Sequence, residues 1–185
     1  KYTFNSAIIS SVVPKLTPIY KKIINKKFNI TPLIVSPENC NIQLNVSIPN
    51  TVGTDRLCNI KAAIKLYSTP AIVIDFGTAT TFDIINNRNV FIGGVIAPGV
   101  ETSALYLIKK AALLSKTDFK FPAKVIGIDT KSNIQSGIMF GAIDQIEGMV
   151  KRINKEMGVT NNIILTGGFS KLLSKKLIIQ HSLDP

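Results

Sequence analysis

A chain of 185 residues and 20.1 kDa is long enough to bury a core, as one domain or two small ones. With 45% hydrophobic residues, 18% charged residues and a mean hydropathy of +0.27 it is not a disordered chain, yet no apolar run reaches the roughly 20 residues of a membrane span. The net charge of +11 comes from scattered lysines such as Lys21-Lys22, Lys26-Lys27 and Lys109-Lys110, with no aromatic stacking platform between them, so a solvated surface is expected and no nucleic-acid or membrane partner.

Residues 6–13 read as a buried strand, interrupted by Pro14, and Leu16 to Ile24 has helical spacing. Thr31 to Val35 is a second short strand, and Ser36 to Pro49 a polar loop with a little strand in it. Thr54 or Asp55 can cap a helix from Arg56 to Tyr67, whose apolar face is Leu57, Ile60, Ile64 and Tyr67. Ser68-Thr69-Pro70 ends it, because the residue before a proline resists helical dihedrals.

From Ala71 the period becomes two. A strand to Asp75, another from Thr80 to Ile85, a turn at Asn86-Asn87-Arg88-Asn89 and a returning strand from Val90 to Val95 follow in order. A helix is expected from Thr102 to Leu114 and a long one from Asn133 to Met157, ended by Gly158. Asn162 to Leu165 reads as a strand, Thr166-Gly167-Gly168 as a turn, and Ser170 to Leu177 as a helix. This order predicts an α/β fold with mixed sheets flanked by helices, divided into residues 1–69 and 70–185.

Four polar clusters sit at element ends. Asp75-Phe76-Gly77-Thr78-Ala79-Thr80-Thr81 follows an apolar strand and reads as a phosphate-binding turn, its backbone N–H groups and hydroxyls facing phosphate and its Asp free for a cation. Gly53-Thr54-Asp55-Arg56 is either a helix cap, worth about 1 kcal/mol, or a base beside an anion clamp. Asp129-Thr130 before Ser132 is by default an N-cap, and Gly167-Gly168 is a plain turn or a close backbone approach to a flat ligand. Cys40 and Cys58 make no C-x-x-C pair, which suits a reducing cytoplasm. A single histidine, His181, argues against a histidine triad or zinc site.

Neither a P-loop nor a G-x-G-x-x-G turn occurs, which leaves the two-lobed actin-like (ribonuclease H-like) frame for a nucleotide. On the ordered set of Gly53 to Arg56, Asp75 to Thr81, Gly93-Gly94, Ala97-Pro98-Gly99, Thr130 with Ile134-Gln135-Ser136-Gly137, and Thr166-Gly167-Gly168, the chain resembles the type III pantothenate kinases. The resemblance implies transfer of phosphate from ATP, with Mg²⁺, to pantothenate, the first step of coenzyme A biosynthesis. It implies Asp55 as catalytic base, with Gly53, Thr54, Asp55, Arg56 and Thr130 contacting pantothenate. Thr78, Gly167 and Gly168 would lie on ATP, and Asp75 on a monovalent cation, potassium or ammonium. A homodimer with pantothenate near the subunit interface is implied too, which makes the two long helices interface candidates.

The family's D-x-G-N-T motif does not occur, and the chain runs from Lys1 to Pro185, so a fragment cut at both ends is expected, one that binds ATP poorly by itself. Two other readings stand beside the kinase: a non-catalytic relative acting as a transcriptional accessory factor, and a kinase or phosphatase of the same fold with another substrate.

Overall fold

The computed structural model describes residues 3–110 and 118–184. Strands β1 (Ile8–Ile9) and β2 (Leu33–Ile34) form a small parallel pair, with helix α1 (Thr17–Phe28) between them. A six-stranded sheet takes β3 (Gln43–Leu44), β4 (Ala71–Phe76), β5 (Ala79–Ile85), β6 (Val90–Pro98), β7 (Asn162–Thr166) and β8 (Ser182–Leu183) in the order β3-β6-β5-β4-β7-β8. The meander β4-β5-β6 is antiparallel, while β4-β7, β7-β8 and β3-β6 are parallel. This is the mixed sheet flanked by helices that the sequence predicts.

Alternation along β4 and β5 decides what covers each face. Ala71, Val73, Ile85, Phe91 and Ile164 face helix α2 (Thr54–Leu66), which buries Leu57, Ile60 and Ala63 against them. Ile72, Ile74, Phe76, Phe82, Ile84 and Leu165 face the other way, onto Met139, Ile143, Ile146 and Val150 of α4 (Thr130–Met157) and Leu173 of α5 (Ser170–Leu173). With both faces covered, β4 reads as an almost unbroken apolar run. Helix α3 (Val100–Lys110) packs beside α4; the expected extension of this helix to Leu114 lies outside the described residues. Because α2 and Val52 share a core with β4, β5 and β7, the expected division at residue 69 runs through one hydrophobic cluster.

Several local expectations change. The strand over 6–13 shrinks to Ile8–Ile9, because a Ser11 turn, in which Val13 N–H donates to Ser11 Oγ, redirects the chain toward α1 and leaves Ile8 65% exposed. Helix α2 begins at Thr54 with Gly53 as N-cap, neither Thr54 nor Asp55 capping it, since the Gly53 carbonyl already accepts Leu57 N–H at 3.0 Å. Helix α4 starts three residues earlier than Asn133, at Thr130, set by a capping box between Asp129 and Ser132. Its end at Gly158 is as expected, with φ of 66° in the left-handed region that favours glycine. Only the first turn of the Ser170 to Leu177 segment is α-helical, and β8 was not anticipated.

The α2–sheet contact yields a direct check. Ile60→Ala, at a fully buried site, should destabilise the fold by about 2–5 kcal/mol in urea titrations. Leu66→Ala, on the same helix but 66% exposed, should change it by no more than about 0.5 kcal/mol.

Candidate active site

On the α2 side the sheet turns polar toward the carboxyl end of β4. Asp75 follows Ala71 and Val73 on that face, Thr81 lies opposite it across the β4–β5 ladder, and Asp83 sits two residues further along β5. Helix α2 lays two polar side chains over this strip, Arg56 and Asn59, three residues apart and so on one helical face. Asn59 Nδ2 donates to Asp75 Oδ2 at 2.8 Å. Arg56 Nε donates to Asp83 Oδ1 at 2.8 Å, with Nη2 2.6 Å from the same oxygen. The guanidinium lies over the Phe91 ring, 5.5 Å from its centroid. At Gly94 a Cβ would collide with Arg56 Nη2 and the Phe82 carbonyl, so the glycine makes room for the guanidinium.

Asp83 is fully buried, and burial pushes its carboxyl from 3.8 up to about 6. The Arg56 charge and hydrogen bond work in the opposite direction, while the negative charges of Asp55 and Asp75 reinforce the rise. Desolvation thus outweighs the partner, as is common for buried ion pairs. At neutral pH the group is ionised and the pair intact. Asp83 Oδ2 and Thr81 Oγ1 are buried with no hydrogen-bond partner among the described residues.

Around this strip other expected residues gather. Asp55 is exposed in the first turn of α2; its Oδ1 accepts Arg56 N–H at 2.8 Å, and a Cβ at Gly53 would stand 2.5 Å from that oxygen. Thr54 Oγ1 accepts from Ser10 Oγ at 3.1 Å, joining α2 to the chain after β1. Gly77 and Thr78 form the exposed tip of the β4–β5 hairpin. The Thr78 carbonyl accepts Gly99 N–H at 3.0 Å and Thr102 Oγ1–H at 2.7 Å, which ties the tip to the start of α3. Strands β4 and β7 are parallel with Asp75 level with Thr166, so Gly167-Gly168 emerges beside Asp75. Gly167 has φ of 87°, and a Cβ there would strike Asp75 Oδ1 and the Phe76 backbone; only glycine fits this approach. Thr130 is exposed at the start of α4, and among the described residues no hydrogen bond ties it to the Asp55–Asp75–Asp83 group.

Asp83 and Asn59 went unread in the sequence, although a carboxylate inside the apolar run Phe82-Asp83-Ile84-Ile85 was a signal available there. Arg56, read as a clamp for an anionic ligand, has its Nε and Nη2 engaged by Asp83. It also lines a cavity of about 320 Å³ together with Ser47, Thr51, Phe91, Gly93 and Ile96. Among the described residues no three His, Cys, Asp or Glu side chains converge to hold a metal ion. Asp75 alone offers a carboxylate at the rim of the hairpin, a donor of the type that hard cations take.

The fold and these residues define an α/β protein with a polar site at the carboxyl ends of β4 and β7. A solved Baf family transcriptional activator from Campylobacter jejuni has the same fold, with TM-score 0.65 and 18% identity over 99% of this chain and 77% of that one. An activator of 2-hydroxyisocaproyl-CoA dehydratase from Clostridium difficile, with bound ADPNP, matches more loosely, with TM-score 0.43 and 13% identity over 69% of this chain and 58% of that one. The type III pantothenate kinase family model matches residues 1–152. The type III pantothenate kinase of Sulfurihydrogenibium sp. (strain YO3AOP1) is 40% identical over 178 residues, 96% of this chain and 71% of that one. The chain belongs to the type III pantothenate kinase family, and with it to the kinases that phosphorylate an alcohol.

The raised Asp83 carboxyl has a measurable consequence. Between about pH 4 and about pH 6 the unfolded chain has released this proton while the folded chain keeps it, so stability from this group falls as pH rises. Asp83→Asn cannot titrate there. The stability of the wild type relative to that variant should therefore drop by roughly 2–3 kcal/mol from about pH 4 to about pH 7, in urea titrations at fixed pH. A pH-independent difference would contradict the raised value.

Proposed function

We propose that the protein transfers the γ-phosphoryl group of ATP to the primary hydroxyl of pantothenate, with Asp55 as base and the β4–β5 hairpin on the phosphates. The observation that carries this reading is the convergence of three separate segments at one end of the sheet: Asp55 and Arg56 of α2, Asp75 to Thr78 of the hairpin, and Gly167-Gly168 after β7. Ligands of open α/β sheets bind at the carboxyl ends of strands. The exposed hairpin tip and the close Gly167 turn support contacts to ATP from Thr78, Gly167 and Gly168.

Phosphoryl transfer depends on positioning and on neutralising oxygen charge. Asp55, exposed and free of any salt bridge among the described residues, would orient the acceptor hydroxyl and take its proton as the oxygen–phosphorus bond forms and ADP leaves. Gly53, Thr54 and Arg56 would hold the acceptor, the guanidinium meeting its carboxylate. Mg²⁺ accompanying ATP, and potassium or ammonium held at Asp75, would supply positive charge near the phosphates. Asn59, bonded to Asp75 Oδ2, fixes that carboxylate against the sheet.

Thr130, exposed at the start of α4, would contact pantothenate in a site completed across a homodimer. Exposed Leu105, Tyr106 and Leu107 on α3, and the open glycines Gly137 and Gly141 of α4, support that reading of the interface. A cytoplasmic location is supported by the free thiols Cys40 and Cys58, and no described helix is long and apolar enough to cross a membrane.

In the full-length protein, Asp55→Asn should lower turnover by roughly 10²–10⁴-fold while thermal unfolding stays near wild type, in an ADP-coupled assay with pantothenate. Activity within a few-fold of wild type removes Asp55 from the role. Asp75→Ala should abolish stimulation by potassium and ammonium, and an unchanged cation requirement in the same assay would sink the assignment.

A further inference from the structure

Arg56 is constrained from three sides that have no need of a ligand. Its Nε and Nη2 meet one oxygen of Asp83, its plane lies on Phe91, and Gly94 leaves the space that Nη2 fills. A planar guanidinium held along one edge has a fixed orientation, unlike the swinging head of a lysine. Its remaining donors are left for the cavity of about 320 Å³ that Arg56 lines. That cavity also offers Ser47 and Thr51, and apolar walls from Phe91 and Ile96.

Stability does not account for this pair. A buried ion pair is often no better than apolar packing of equal volume, and here one carboxylate oxygen remains buried without a partner. On the same face of the sheet Val73, Ile85 and Phe91 are buried and apolar, so an apolar residue at position 83 would match its surroundings. What the carboxylate adds is direction.

We propose that Asp83 is a positioning residue: by gripping the Nε–Nη2 edge of Arg56 over Phe91 and Gly94, it aims the guanidinium at the carboxylate of the acceptor in the adjoining cavity. The proposal rests on the reading that Arg56 meets the acceptor's anionic end. Asp83 touches neither substrate. Its effect should appear in acceptor binding, and should vanish once Arg56 is gone.

The test is a kinetic double-mutant cycle in the full-length protein, with pantothenate and ATP varied separately. Arg56→Ala and Asp83→Ala should each raise the acceptor KM by about 10–100-fold and leave the ATP KM within about two-fold, and the double variant should be no worse than Arg56→Ala alone. Asp83→Asn, which keeps an acceptor oxygen, should recover part of the loss. If Asp83→Ala fails to fold, Asp83→Leu takes its place in the cycle, since an apolar side chain of similar size suits the buried face of Val73, Ile85 and Phe91 and removes the grip on Arg56. An acceptor KM raised by Arg56→Ala but untouched by Asp83→Ala overturns the role of Asp83 and spares that of Arg56. Multiplying effects in the double variant, or an equal rise in the ATP KM, overturn it as well. No change with Arg56→Ala removes the Arg56 reading itself and this inference with it.

Discussion

Asp83 stands in β5 with apolar neighbours on either side, fully buried, and the cation that answers it comes from a helix 27 residues earlier in the chain. The pair joins the first turn of α2 to the sheet. Asp55, one residue before Arg56, and Asn59, three residues after it, lie on the same stretch of helix, with Asn59 bonded to Asp75. Below them the helix is held by ordinary apolar burial of Leu57, Ile60 and Ala63. Packing seats α2, and the ion pair orients the Arg56 guanidinium against the sheet.

The same face of the sheet changes character along its length. Ala71 and Val73 belong to the core, and Asp75, next on that face, belongs to the site. Two residues of rise, about 7 Å, separate dry packing from solvent-facing chemistry. The parallel neighbour β7 makes the same transition, from Ile164 in the core to Thr166 and Gly167 beside Asp75. A parallel pair ending together creates a rim where two loops emerge side by side, and the hairpin tip at Gly77-Thr78 joins them there.

Much of this was legible in the residues. Period two from Ala71 to Val95 gave the meander and the Asn86–Asn89 turn, while Gly158 marked the end of α4 and the default N-cap at Asp129 its true start. The motif segments were legible as polar clusters at element ends, and Asp75 and Gly167 meet at the ends of β4 and β7. What stayed hidden depended on pairing between distant segments. Nothing in the string Thr80-Thr81-Phe82-Asp83 says that Asp83 meets Arg56, because that follows from the sheet register and from the seat of α2. Likewise Ser182–Leu183 is a strand only because β7 offers it an open edge. The apolar run at residues 7–13 failed as a long strand for the converse reason: only two of its residues find a partner in β2, and the next turn leads into α1.

Phosphorylation of pantothenate at this rim can be followed through the ³¹P resonances of ATP with the full-length protein in the presence of pantothenate, pantetheine or a panel of sugars. A new phosphomonoester on the primary hydroxyl of pantothenate should appear in step with ADP and carry the γ-phosphorus. ADP formed without that ester, or ester formed as readily on sugars as on pantothenate, would contradict the proposed reaction.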